Sequence, residues 1–145
     1  MRRIYYGYSS DQDEFLKTLS GKKILNVKGL KSGSEHIYFY FSDKSKMTLF
    51  HEQDCSELVL VDDIDGDESD LIGSIIISVE LVTNRNINFK DEYDDDSCTW
   101  SFYKIKTTKG YVVIRWYGCS NGCYSEAVDI EYEDPNIKDG YLYFN

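Results

Sequence analysis

This chain has little that kinks, chelates metal or crosses a membrane. Its 145 residues include one proline, Pro135, and two histidines, His36 and His51. So little proline argues against a linker-rich or disordered chain. The four cysteines, Cys55, Cys98, Cys119 and Cys123, contain no C-x-x-C pair. They are too few and too unevenly spaced for a secreted disulfide scaffold, and the usual zinc spacing is missing. No stretch approaches the roughly 18 apolar residues of a membrane span. The opening MRRIYYGYSS lacks the apolar core of a signal peptide. Membrane insertion and secretion are therefore not expected, and reduced thiols are the default. Net positive charge is absent too: 16 Lys+Arg stand against 26 Asp+Glu, a net charge of −10. Direct coating of nucleic acid is not expected from that balance, because phosphate binding needs positive charge.

What is present favours strands. The chain holds 13 tyrosines, seven phenylalanines and two tryptophans, residues enriched in sheets. Asp11 can cap a helix with Glu14 three residues on, Phe15, Leu16 and Leu19 form its apolar face, and Gly21 stops it. A strand then runs from Ile24 to Gly29. In HIYFYF, Ile37, Phe39 and Phe41 point one way and His36, Tyr38 and Tyr40 the other. A turn at Ser42–Ser45 leads to a return strand from Lys46 to about His51. A strand from Glu57 to Val61 enters the acidic VDDIDGDESDLIG, whose end forms a helical turn through Leu71. Ser74 to Val82 reads as a strand, and Asn84 to Asp96 as a polar loop.

The last third predicts two strands, Cys98–Thr107 and Tyr111–Gly118, turning at Lys109-Gly110. Pairing Thr108 with Tyr111 sets Ile105 opposite Ile114 and Tyr103 opposite Trp116 on a core face. The other face then carries Lys104 opposite Arg115 and Phe102 opposite Tyr117. A third strand, Tyr124–Tyr132, follows a three-residue loop and pairs Ile114 with Val128 and Val112 with Ile130. In this register Cys119 faces Cys123. The fold expected is a single α+β domain over residues 1–145, a mainly antiparallel sheet with one or two short helices.

Four places invite a chemical reading. The first is the aromatic and basic face of Trp100, Phe102, Lys104, Arg115 and Tyr117. Opposed like charges cost stability unless an anion sits between them, and the rings can stack on a base. The plain alternative is a solvated sheet face whose cations meet nearby carboxylates. The second is the loop at 118–123, where Ser120 and Asn121, with Tyr124 beyond, offer hydrogen-bond groups at a pocket rim. Turn chemistry alone also explains Asn and Gly there. The third is His51-Glu52-Gln53-Asp54-Cys55, which holds metal-ligand types without metal-ligand spacing; no metal is expected. The fourth is the acidic run Asp62–Asp70, which fails the calcium-loop pattern: aligning Gly66 with the loop glycine puts Val61 and Ile72 at ligand positions. Together with Asp91–Asp96 and Asp129–Asp134 it can instead imitate a nucleic-acid backbone toward a protein.

HEQDC at 51–55, LIGS at 71–74, CTWSFYK at 98–104, GYVVIRWYGCSNG at 110–122 and YSE at 124–126 resemble one family over about residues 20–132. It comprises small single-domain proteins of bacteriophages and prophages, a domain of unknown function. The resemblance implies action in a bacterial host cytoplasm and supplies no catalytic residues. Small accessory phage proteins commonly counter host defence, by sequestering nucleotide signals or by binding an effector. The expectation is thus a non-enzymatic protein without cofactor, holding a small anionic nucleotide-like ligand. Trp100, Phe102 and Tyr117 stack, Lys104 and Arg115 neutralise phosphate, and Ser120, Asn121 and Tyr124 bond at the rim. Oligomerisation is a natural way to complete such a pocket. The alternatives are an acidic inhibitor of a host defence protein or nuclease, and a metal-dependent hydrolase using His51 and Asp54.

Overall fold

Alternation of apolar and polar residues builds most of the ten strands found among the described residues, which also hold one α-helix. The computed structural model describes residues 2–7, 10–53, 57–87, 97–121, 125–137 and 140–144. In chain order the elements are β1 (Arg2–Tyr6), α1 (Ser10–Lys17), β2 (Ile24–Lys28), β3 (His36–Phe41), β4 (Lys46–Phe50), β5 (Leu58–Asp65), β6 (Ile76–Ile87), β7 (Ser97–Thr107), β8 (Tyr111–Ser120), β9 (Asp129–Asp134) and β10 (Gly140–Phe144). A single 3₁₀ turn, Glu68–Asp70, follows β5. The fold is mainly β, with less helix than an α+β domain. Asp11 lies inside α1 rather than ahead of it.

Two sheets form. One has the order β10-β1-β9-β4-β3-β2, the other β5-β8-β7-β6. All pairs are antiparallel except β1 with β10. β1 and β10 were not legible as strands, β5 runs four residues past Val61, and β6 runs to Ile87. Both sheets turn their alternate apolar residues onto one core. Ile37, Phe39, Met47, Leu49 and Ile130 come from the larger sheet, and Val61, Tyr103, Ile105, Val112, Ile114 and Trp116 from the smaller. Phe15, Leu16 and Leu19 of α1 join them. Gln12 of α1, fully buried, ties three segments: its amide donates to the Val128 carbonyl at 3.1 Å and the Gly7 carbonyl at 3.4 Å, and its Oε1 accepts from the Tyr103 hydroxyl at 2.7 Å. Backbone bonds also link the sheets. Gly33 N–H donates to Val61 O at 2.7 Å, Val61 N–H to Ser34 O at 2.8 Å, and Ile24 N–H to Ser74 O at 2.9 Å.

Two expectations about the last third fail. The β7–β8 register is slid by two residues, with Ile105 opposite Val112, Tyr103 opposite Ile114 and Phe102 opposite Arg115. The cause is the turn. Thr107 N–H donates to Gly110 O, and the Thr107 hydroxyl accepts from the N–H groups of Lys109 and Gly110 at 3.2 and 3.1 Å. The hairpin therefore closes one residue earlier on each strand, and every side chain keeps its face. The second failure is β9, which does not pair with β8. It lies between β1 and β4 in the other sheet, and β8 takes β5 as its second neighbour, with Ile114 opposite Ile64. Val128 and Ile130 are still buried, so the apolar pattern marks burial without naming the partner strand.

Candidate functional site

The outer face of the smaller sheet gathers the predicted residues. Read across β5, β8, β7 and β6, its rows are Leu60–Tyr117–Trp100–Asn84, then Asp63–Arg115–Phe102–Val82, then Asp65–Val113–Lys104–Glu80. Trp100 and Tyr117 meet with ring centroids 4.2 Å apart. The Arg115 guanidinium lies 5.1 Å from the Trp100 ring. Val82 and Leu58 on the same sheet are 36% and 57% exposed, so apolar side chains run across the sheet from Leu58 on β5 to Val82 on β6, with the charged row of Asp65, Lys104 and Glu80 on one side.

Arg115 is not a free cation. Its Nε donates to Asp62 Oδ2 at 2.7 Å, a second nitrogen lies 2.5 Å from the same oxygen, and Asp63 stands 3.9 Å away. A bulge at Val61–Asp63 makes this possible, since the extra residue lets Asp62 and Asp63 both approach β8. Lys104 lies on the same face but opposite Val113 and Glu80, not opposite Arg115. The like-charge pair that motivated phosphate binding is therefore absent. Beside Arg115 an open pocket of about 330 Å³ is lined by Asp63, Ile64, Asp65, Phe102 and Val113.

The predicted rim is different. Ser120 is 3% exposed and donates to Glu126 Oε2 at 2.5 Å, so it faces the interior. Asn121 is exposed. Tyr124 and Cys123 lie outside the described residues. Cys119 is bonded to Cys98 in a disulfide, with Cα atoms 4.2 Å apart, which corrects the expectation of a reduced thiol at both positions. The two cysteines are directly opposed in the observed register, so the two-residue slip hid them.

His51 sits inside the fold. Its Nδ1 donates to the Ala127 carbonyl at 2.7 Å and its Nε2 lies 3.3 Å from Glu57 Oε1, with the two side chains 2% and 1% exposed. Both ring nitrogens are committed. No group of three His, Cys, Asp or Glu among the described residues is arranged to hold a metal ion; Asp54 and Cys55 lie outside them. The two described acidic runs lie on different sheets, β5 in the smaller and β9 in the larger. Asp62 is held by Arg115, and Asp129 is buried with its Oδ2 accepting the Glu52 N–H at 2.9 Å; Asp91–Asp96 are outside the described residues.

Burial pushes the Asp129 carboxyl up from its ordinary value, with the Glu52 amide, the Tyr5 hydroxyl and His51 pulling the other way. An acid raised in the fold keeps its proton longer there than in the unfolded chain. Its contribution therefore favours the fold at low pH and is lost as pH rises through the raised value. Asp129→Asn is expected to gain on the parent in urea midpoint as pH rises above about 4. A gap independent of pH would contradict this reading of Asp129.

A family model described as Domain of unknown function (DUF7448) matches residues 17–130. The chain belongs to this family. The matched span runs from the end of α1 into β9 and holds the whole smaller sheet; β1 and β10 flank it. No curated protein and no solved structure matches the chain. Among the described residues, no helix is long and apolar enough to cross a membrane.

Proposed function

We propose that this chain is a non-enzymatic binding protein of phage or prophage origin. It acts in the host cytoplasm against a defence component, and its working surface is the outer face of the β5-β8-β7-β6 sheet. The observation that carries this reading is the contrast between Arg115, already neutralised by Asp62, and the apolar band beside it. Trp100, Phe102, Tyr117, Val82 and Leu58, with Arg115 among them and the Asp65–Lys104–Glu80 row on one side, have the make-up of a protein interface: aromatic and arginine anchors beside polar groups. The partner is thus a protein surface with an apolar centre.

A specific observation favours a second reading. The pocket between Phe102 and Arg115 is large enough for part of a nucleotide-like ligand. Such a ligand stacks on Phe102 and takes Arg115 from Asp62.

Tagged protein expressed in bacteria, crosslinked and purified, separates the two. Under the first reading an identified host protein rebinds when both components are pure. Leu58→Glu with Val82→Glu, both at exposed positions, weakens that binding at least about tenfold. A nucleotide released intact by heat, and absent from Arg115→Ala, would establish the second reading in its place. A complex indifferent to both sets of variants would remove this face from consideration.

A further inference from the structure

The larger sheet carries on its own outer face the combination missing around Arg115: flat rings beside cations that no carboxylate has claimed. His36, Tyr38 and Tyr40 alternate outward along β3. The His36 ring is nearly parallel to Tyr38 and to Phe50, at 8° and 1°, with centroids 5.9 and 5.8 Å away. Lys46 Nζ stands 4.7 Å from the Tyr38 ring and 5.5 Å from Tyr40, and Lys28 Nζ stands 5.6 Å from Tyr40. Among the described residues neither lysine makes an ion pair, whereas Arg3, Lys17, Lys22 and Arg115 all do. The chain shows the same bias. Residues 22–46 hold six lysines against Glu35 and Asp43, a local net charge of +4 in a protein of −10.

We propose that the outer face of β2, β3 and β4 binds single-stranded nucleic acid. The bases stack on His36, Tyr38, Tyr40 and Phe50, and Lys28 and Lys46 meet the phosphates. Alternate residues of one strand lie about 6.6–7 Å apart, so the rings form a track for successive bases of an extended chain rather than a socket for one. Stacking on rings is sequence-tolerant. A duplex hides its base faces and presents only phosphate, which a molecule this negative repels. The nearest carboxylates on this face are Glu131 and Glu133 of β9. Glu133 and Glu131 lie directly opposite Lys46 and Thr48 of β4, one strand from Lys46 and about 10 Å by strand spacing from the rings of β3, and Glu133 is paired with Arg3 at 2.9 Å. Whole-chain charge thus limits general coating while leaving this patch usable.

Fluorescence anisotropy with the full chain tests the proposal, using labelled oligo-dT and oligo-U of about twelve nucleotides and a duplex of equal length. The single strands are expected to bind at least about tenfold more tightly than the duplex, with oligo-dT and oligo-U telling DNA from RNA. Lys28→Gln with Lys46→Gln, surface changes that spare the core, should weaken binding at least about tenfold. They should also flatten the log–log salt slope by about 1.4, the loss of two phosphate contacts. Lys104→Ala with Arg115→Ala should change nothing, which keeps this result separate from the fate of the smaller sheet. Absence of binding at low salt, equal affinity for duplex, or lysine variants with full affinity would each overturn the proposal. So would adenosine monophosphate competing as strongly as the oligonucleotide, since that describes a one-base socket.

Discussion

Glu126→Ala is expected to lower stability by about 3 kcal/mol, and Glu126→Gln by about 1 kcal/mol. Glu126 is 7% exposed and stands where the chain crosses from the smaller sheet to the larger. Its Oε1 accepts from the Ser97 and Thr99 hydroxyls at 3.2 and 2.7 Å, and its Oε2 from Ser120 at 2.5 Å. The carboxyl therefore grips the paired ends of β7 and β8. The main chain on either side of the Glu126 side chain is equally confined. A Cβ on Gly118 would sit 2.6 Å from the Glu126 carbonyl oxygen, so glycine is what lets the crossover lie against β8. Alanine removes all three acceptor contacts and leaves a cavity next to buried hydroxyls, and removal of one partner from a buried polar cluster is the costly direction. Glutamine keeps one oxygen for Ser97 and Thr99 and turns an amide toward Ser120, whose hydroxyl can accept. Urea unfolding of the three proteins measures the difference. Alanine within about 1 kcal/mol of the parent, or glutamine as damaging as alanine, would show that the hydrogen bonds do not anchor the crossover.

Period-two alternation made most strands legible, and it failed where a strand is short, polar or set by its partner. HIYFYF reads directly into β3 because Ile37, Phe39 and Phe41 are all buried. β5 was cut short because Asp62, Asp63 and Asp65 look like loop residues; they belong to a strand because a bulge and Arg115 hold them there. The face shared by Trp100, Phe102, Lys104, Arg115 and Tyr117 was legible, since a two-residue slip preserves every side-chain direction. The electrostatics of that face were not, because they depend on which residue lies across the ladder. With the observed register, Arg115 meets Phe102 and Asp63 rather than Lys104. The same slip concealed the Cys98–Cys119 bond. Thr107 was the available signal: a Thr ahead of Thr108-Lys109-Gly110 can close the turn with its own hydroxyl. The Glu126 cluster left no local trace, because its three donors come from two strands and its acceptor from the crossover. The rings and lysines of residues 22–46 were visible as residue types. The charge bias of that segment disappears in a whole-chain net of −10.

Trp116→Ala is expected to cost about 4 kcal/mol, while Trp116→Phe costs no more than about 1.5 kcal/mol. Trp116 is fully buried on the inner face of β8, between Val61 and Ser101 on the neighbouring strands. Truncation to alanine removes the largest of the fully buried side chains, and the surrounding strands cannot close the gap without breaking their ladders. Phenylalanine also leaves space, but it removes a liability. The indole Nε1 is buried with no hydrogen-bond partner among the described residues, and an unmet N–H in an apolar interior costs about 1–3 kcal/mol. The lost ring area and the relieved N–H act in opposite directions, so the two variants must differ by well over the error of a denaturation curve. Matched urea melts decide it. If phenylalanine proves as destabilising as alanine, the Nε1 is satisfied in solution and its hydrogen bond, rather than the ring's volume, is what Trp116 contributes to β8. The outer face would register the same change, because Arg115 and Tyr117 flank Trp116 on the strand and take their direction from the core residue between them.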